Sequence, residues 1–360
     1  MANRLAVIFG SRSCEHDVSV ISGLQALAAA GRHDAFPVYI AGDGAWYVGA
    51  ALRDISFIRS FDPAKAVRVI PFGEGGKLML YRHPGGRKLM LGGLKPEAIA
   101  DVAMPVLHGM NGEDGTIQGM LELWDVPYTS SGLLGSAVGM DKIAMKQFFR
   151  GCGFPVLPDT WIDRADWAAR RDSQIEKVEA ALHYPVYVKP ANLGSSIGIS
   201  RADDRDGLIR AVDVACAYDR RILVERGVER LKEVNCSVMG YGSDVRASAL
   251  EMPVKWDDKA LLDFGDKYGR GGKGEGGKGM ASLGRVIPAP IDEGKAEALR
   301  ALSVEVFKAL DSKGVVRIDY ILDESDGSHY IGEINTIPGS LAFYLWEPVG
   351  VSFAELVDRM

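Results

Sequence analysis

Apolar and polar positions alternate in blocks through the first third of the chain. Residues 5–9 (LAVIF) are apolar throughout, the pattern of a strand buried on both faces, and a helical run follows over residues 17–30. Residues 36–40 give the next strand and 102–107 another, which ends in the polar loop 108–115 before an amphipathic run at 116–124. Strand, loop and helix repeating in that order predict an α/β domain with a doubly wound parallel sheet. In such a sheet ligands sit beyond the carboxyl ends of the strands, where residues 11–17 and 108–115 fall.

A further helix is expected after Ser131 and continues to about Arg150, with Lys142 midway. Gly151, Gly153, Pro155 and Pro158 then punctuate the chain, as a hinge within or just before a second domain would. Short strands follow at 185–189, 221–225 and 233–240. A helix at 292–310 places Leu299, Leu302, Val306 and Leu310 on one face, and strands at 315–322 and 329–334 lead into the loop 335–339. Residues 265–284 break the pattern, with nine glycines, the cations Lys267, Arg270, Lys273 and Lys278, and almost nothing apolar. Such a stretch buries too little to offset its ordering entropy. It reads as a surface loop or as a lid over an anionic ligand, and its basic charge favours the lid.

Composition narrows the class. A length of 360 residues calls for two or three domains, and 47% hydrophobic with 25% charged residues is ordinary for a soluble protein. A net charge of −6 argues against a nucleic-acid surface, although not against a nucleotide held in a local pocket. Cys14, Cys152, Cys216 and Cys236 have no paired or zinc-binding spacing, which suits a reducing compartment. No apolar window is long enough for a membrane span and residues 1–10 do not read as a leader, so a cytoplasmic protein is expected.

Three constellations carry chemistry. Arg317 and Asp319 are two apart on one strand, and Glu333 and Asn335 two apart on the next, so each pair shares a face. If the strands are neighbours, oxygen ligands suited to magnesium converge beside a guanidinium suited to a phosphoryl group; a charged surface hairpin would show the same alternation. Lys189 ends an apolar strand and is followed by the Gly194-Ser195-Ser196 turn, a point charge plus backbone N–H groups that can cradle phosphate. Lys142, Glu225, Glu15 and His108 are weaker. Lys142 can be simply solvated, Glu225 ends a strand whose backbone could meet an adenine edge, and Glu15 and His108 stand at the ligand edge of the first sheet.

Taken together these residues resemble the D-alanine–D-alanine ligases of the ATP-grasp superfamily. The resemblance runs through FGS at 9–11, CEHDVS at 14–19, LHG at 107–109, GEDGTIQG at 112–119, PYT at 127–129 and MDK at 140–142. It continues through VKP at 188–190, GSS at 194–196, DKY at 266–268, RID at 317–319, EINT at 333–336 and PG at 338–339. It implies an ATP-grasp fold in three parts: an N-terminal α/β substrate domain (1–132), a central domain (133–226) and a C-terminal domain (227–360) with a lid at 263–284. It also implies ATP, Mg2+ or Mn2+, D-alanine and a second D-amino acid, an acyl-phosphate intermediate in cell-wall precursor synthesis, and a homodimer.

By the same resemblance Asp319, Glu333 and Asn335 hold metal. Lys142, Lys189, Ser195, Ser196 and Lys267 serve the ATP phosphates, with Glu225 and Val228 at adenine and Glu233 at the ribose. Glu15 takes the ammonium of the first D-alanine and His108 assists at its carboxylate. Arg317 and the Gly339 N–H stabilise the oxyanion, and Ser195 with Tyr268 joins the central domain to the lid.

Two departures stand out. The family usually has a Ser-Leu pair for the second substrate's carboxylate, and here Tyr344-Leu345 stands in its place. The lid is unusually rich in glycine. The first departure keeps a D-alanine–D-serine ligase open as an alternative acceptor chemistry. A catalytically silent ATP-binding protein would not need the full acidic and cationic set, and a carboxylase module would not explain Glu15 and His108.

Overall fold

The apolar run near the N-terminus forms β1 (Arg4–Gly10), whose residues from Leu5 onward are buried, between β2 (Asp34–Ile40) and β7 (Val102–Pro105) and parallel to both. The computed structural model describes residues 2–85, 95–254 and 284–360. Within them the first sheet has the order β6-β5-β4-β3-β2-β1-β7, where β3 is Trp46–Val48, β4 Val67–Glu74, β5 Lys77–Arg82 and β6 Pro96–Ala100. Among the named strands the parallel pairs are β2-β1 and β1-β7, and β2 through β6 pair antiparallel. The α/β expectation holds, but the sheet is mixed. Short hairpins are the reason: Gly75 and Gly76, at φ 60° and 71°, close a two-residue turn between β4 and β5 that only antiparallel strands can use.

The second sheet has the order β10-β9-β11-β8, from β8 (Asp159–Asp163), β9 (Val186–Pro190), β10 (Ser200–Ala202) and β11 (Arg221–Arg226). The third has the order β14-β13-β12-β15-β16, from β12 (Leu231–Tyr241), β13 (Asp244–Pro253), β14 (Arg285–Val286), β15 (Gly314–Asp323) and β16 (His329–Asn335). The helix Glu293–Ala309 packs Leu299, Val306 and Phe307 on this sheet against Val234, Cys236, Ile318 and Tyr320; Leu310 is buried just beyond it and Leu302 partly so.

Cores are distributed unevenly. Leu5, Val7 and Phe9 of the first sheet share one apolar cluster with Met239 and Val315 of the third and with Leu341, Trp346 and Leu356 of the C-terminal segment. Trp346 also donates from Nε1 to Ser237 Oγ at 3.0 Å. The second sheet instead closes its own cluster, drawn wholly from residues between Ile162 and Val224.

The single helix expected over 131–150 is two helices, Leu133–Met140 and Lys142–Gly151. Asp141 leaves helical geometry (φ −85°, ψ 104°) and its side chain accepts from the N–H groups of Ile143 and Ala144. An aspartate serves its own backbone better as an N-cap than inside a helix. Lys142 therefore opens a helix and is buried, not solvated on a helix flank. Lys267, Tyr268 and nearly all of the lid at 263–284 lie outside the described residues.

Candidate active site

The loop after β1 is fixed by a buried hydroxyl. Ser19 Oγ accepts from Gly10 N at 2.8 Å and donates to Val106 O at 2.6 Å, tying the ends of β1 and β7 together. Gly10 sits at φ +100°, and a Cβ there would meet Ile40 O at 2.2 Å, so only glycine fits. The turn delivers Glu15 to the start of the helix His16–Ala29.

Two glycines from different sheets then close on the Glu15 carboxylate. A Cβ on Gly109, after β7, would lie 2.6 Å from Glu15 Oε2, and one on Gly194, after β9, would lie 2.9 Å from it. Ser195 donates its hydroxyl to Glu15 Oε1. Ser195 and Ser196 hold φ of 54° and 61°, which turns this loop toward the first sheet.

Strands β15 and β16 are neighbours, with Arg317 opposite Asn335 and Asp319 opposite Glu333. Four side chains expected on two faces thus share one. Arg317 grips Asp319 with both arms (Nε to Oδ1 2.6 Å, Nη2 to Oδ2 2.7 Å), and Asn335 Nδ2 donates to Asp319 Oδ2 at 3.1 Å. Burial raises the Asp319 pKa, against the lowering pull of Arg317 and with added repulsion from Glu333 and Glu251. Burial works against the Arg317 charge, but Asp319 more than offsets it and holds the guanidinium firmly protonated.

Lys142 crosses to this group. Its Nζ donates to Leu193 O at 2.8 Å and lies 3.4 Å from Glu333 Oε2. Glu15, Glu113, Lys142, Gly194, Glu333 and Asn335 line one cavity. The cavity therefore draws walls from all three sheets.

Beside it lies a buried charge cluster. Glu225 is 2% exposed and receives Lys189 on one oxygen and Lys146 on the other, the latter at 2.9 Å. Burial pushes the Glu225 pKa up, but Lys146 and Lys189 outweigh it and hold the carboxyl down at about 2. Lys189 stays above its ordinary value because Glu225 offsets the effect of burial. Glu233, on β12, adds charge near Lys189, and Val228 is buried just past β11. Both Glu225 oxygens face lysines, so an adenine contact at this position would fall to the backbone.

His108 is not on the cavity wall. Its Nδ1 is 2.8 Å from Ile337 O and its Nε2 2.8 Å from Ser22 Oγ, and burial lowers its pKa to about 4. Glu113 Oε1 accepts from Ile337 N at 2.9 Å and Oε2 from Gly109 N at 2.9 Å. Burial pushes Glu113 up to about 8, with Glu15 adding repulsion. After Gly339 the chain makes an unusual turn: Ser340, Leu341 and Ala342 sit at φ 53°, 51° and 50°. Left-handed backbone costs roughly 1–2 kcal/mol for each residue with a Cβ.

Tyr344 and Leu345 are both buried. The Tyr344 hydroxyl reaches Glu251 Oε1 at 3.3 Å, its ring lies 3.8 Å from the Arg285 guanidinium, and Arg285 Nη1 donates to Glu251 Oε2 at 2.6 Å. Motif reading did not single out Ser22, Glu113, Lys146 or Glu251 as site residues. Only Glu113 carried a signal, its place inside the GEDGTIQG run.

The whole chain is similar to known proteins. Residues 4–131 match the family described as D-ala D-ala ligase N-terminus and residues 148–360 the one described as D-ala D-ala ligase C-terminus. A D-alanine–D-alanine ligase of Heliobacterium modesticaldum is 37% identical, with 100% of this chain and 94% of the relative covered. One of Thermosipho africanus is 33% identical over 99% of this chain and 91% of the relative. Among solved structures, the VanG D-Ala:D-Ser ligase of Enterococcus faecalis superposes with a TM-score of 0.80 at 25% identity, covering 100% of this chain and 98% of the other. The D-alanine–D-alanine ligase of Coxiella burnetii gives 0.79 at 22% identity, covering 99% and 92%, a likeness of fold.

Proposed function

The chain belongs to the D-alanine–D-alanine ligase family, and from that membership we propose that it joins two D-alanines at the expense of ATP. The carboxylate of the first D-alanine attacks the γ-phosphorus, giving an acyl phosphate and ADP. The amine of the second attacks that carbonyl, loses a proton, and the tetrahedral intermediate expels phosphate. The observation that carries this reading is the cross-strand pairing of Arg317 with Asn335 and Asp319 with Glu333, which sets Arg317 and Asp319 beside the Glu333 and Asn335 that line a cavity with Glu15 and Lys142.

Glu15 receives the ammonium of the first substrate, held ready between Gly109, Gly194 and Ser195. Arg317 and the Gly339 N–H face the charge that develops on the carbonyl oxygen, where one such donor is worth about 3–4 kcal/mol. Lys142 and Lys189 bind ATP phosphates. His108 has no direct substrate contact in this scheme, because both ring nitrogens are already bonded.

Asp319, Glu333 and the Asn335 amide oxygen would hold magnesium. Among the described residues no three His, Cys, Asp or Glu side chains converge on one point. Two carboxylates and an amide still fit the ion, which prefers few protein oxygens and completes its shell with water and phosphate. Both carboxylates meet cations here, Asp319 at Arg317 and Glu333 at Lys142, as a site for positive charge would. Bound magnesium would offset the charge of the ATP phosphates.

The division at 132 and 226 is part of the same proposal, supported by one sheet falling in each part. So are cytoplasmic residence and a homodimer, the latter testable by light scattering. Among the described residues no helix is long and apolar enough to cross a membrane.

The alternative acceptor, D-serine, draws on Tyr344. Its hydroxyl is engaged by Glu251, so it offers the acceptor carboxylate less than a free serine hydroxyl would. A screen of D-amino-acid acceptors, with ADP release and dipeptide mass as readouts, separates the two. Absence of any amino-acid-dependent ADP release defeats the ligase reading itself.

A further inference from the structure

The turn that carries Gly339 is gripped from below by side chains outside the cavity. Ser340 N donates to Ser22 Oγ at 2.8 Å, and Ser22 Oγ is 2.8 Å from His108 Nε2. The other ring nitrogen, Nδ1, is 2.8 Å from Ile337 O. Ser22, on the helix His16–Ala29, and His108, after β7, thus hold the chain on both sides of Pro338-Gly339.

Counting protons fixes every role. A carbonyl only accepts, so Nδ1 carries hydrogen and donates to Ile337 O. Ser22 Oγ accepts the Ser340 N–H. His108 is 3% exposed with Arg317 near enough to repel a second charge, so the ring is neutral and Nε2 accepts the Ser22 hydroxyl proton. The relay runs Ser340 N–H to Ser22, Ser22 O–H to His108, and His108 Nδ1–H to Ile337 O.

The strained segment explains why a relay is needed. Ser340, Leu341 and Ala342 are all buried and all left-handed, a path that residues with a Cβ resist and that persists only where surroundings impose it. We propose that Ser22 and His108 are positioning residues that hold this left-handed turn and thereby aim the Gly339 N–H at the reacting carbonyl. The inference rests on the ligase reading for what the turn does, but not for how it is held.

Ser22→Ala removes the middle of the relay without touching the cavity. Turnover is expected to fall about tenfold, the scale of one buried hydrogen bond left unmade, with KM for ATP and D-alanine nearly unchanged. Adding Ala342→Gly, which accepts positive φ freely, should restore several-fold of that loss yet gain nothing in the wild-type background. Wild-type turnover in Ser22→Ala, or strictly additive effects in the double variant, overturns the proposal. Independently of activity, 15N chemical shifts of His108 in the intact protein should show the Nδ1–H tautomer. An Nε2–H or doubly protonated ring at neutral pH overturns it too, even if Ser22→Ala fails to fold. If the wild-type protein releases no ADP with D-amino acids, the functional reading fails instead, and the tautomer still tests the relay.

Discussion

On one side of the cavity Ser22, His108 and Glu113 hold backbone groups through hydrogen bonds, whereas beside it Lys146, Lys189 and Glu225 hold one another through charge. The first group fixes a turn and has no reason to rearrange when ligands arrive. The second contains Lys189, a cation that can exchange a carboxylate for a phosphate, while Lys146 keeps Glu225 from being left buried and unpaired. Positioning is done with neutral groups, and ligand charge is met with ions already paired in its absence. Uncharged hydrogen bonds hold geometry without attracting solvent or stray ions, and paired ions avoid the penalty of a lone buried charge.

Substitution at Lys189 tests the ionic side most severely. Lys189→Met should lower kcat/KM for ATP by roughly 10²–10³-fold, since a phosphate-stabilising charge is lost. The fold should survive because Glu225 keeps Lys146. Unchanged ATP kinetics in this variant would mean that the cluster is structural and would erase the contrast.

Acid stability sharpens the neutral side. The folded-state pKa of His108 is depressed from 6.5 to about 4, so the unfolded chain takes up a proton that the folded one refuses. Its contribution is present above pH 6.5 and is lost as pH falls toward 4, by about 3 kcal/mol at most. Glu113 acts in the opposite sense. Its folded-state pKa is raised from 4.5 to about 8, so its contribution is full at low pH and fades as pH rises to about 8. Comparing urea midpoints of wild type and His108→Asn across pH 4.5–7 isolates the histidine, and parallel curves would contradict the buried neutral ring. Glu225 is depressed to about 2, so its share is lost only as pH falls from 4.5 toward 2.

The smallest effect is expected at the cap. Asp141→Ala should cost about 1 kcal/mol by thermal melting, the usual worth of an N-cap, and raise KM for ATP modestly because Lys142 loses its helix start. Stability falling with no change in KM would show that the cap does not aim Lys142.

Much of the site was legible in one dimension. A strand repeats every two residues, so Arg317 and Asp319, like Glu333 and Asn335, were readable as pairs before any fold was known. Glu15 and His108 were marked by their place just after strands. What the pattern does not carry is long-range pairing: Ser22 and His108 lie 86 residues apart, and Ser22 and Ser340 lie 318 apart. Lys146 looks like any polar helix residue until Glu225 is placed against it. The break at Asp141 was missed because an Asp-Lys pair inside an apolar-periodic run reads as a helix surface. The hairpins that turn the first sheet antiparallel lay in a stretch, from Trp46 to Ala100, whose strands the block pattern did not reveal.

The uneven cores have a mechanical meaning. A dense cluster spanning the first and third sheets resists relative rotation, because sliding would open voids that close packing does not tolerate. The second sheet closes its main cluster on itself, with Ala191 and Leu223 packed outside it against Ile143. The second sheet's loop reaches Glu15 and Lys142 through the polar contacts of Ser195 and Leu193, beside that apolar contact at Ile143.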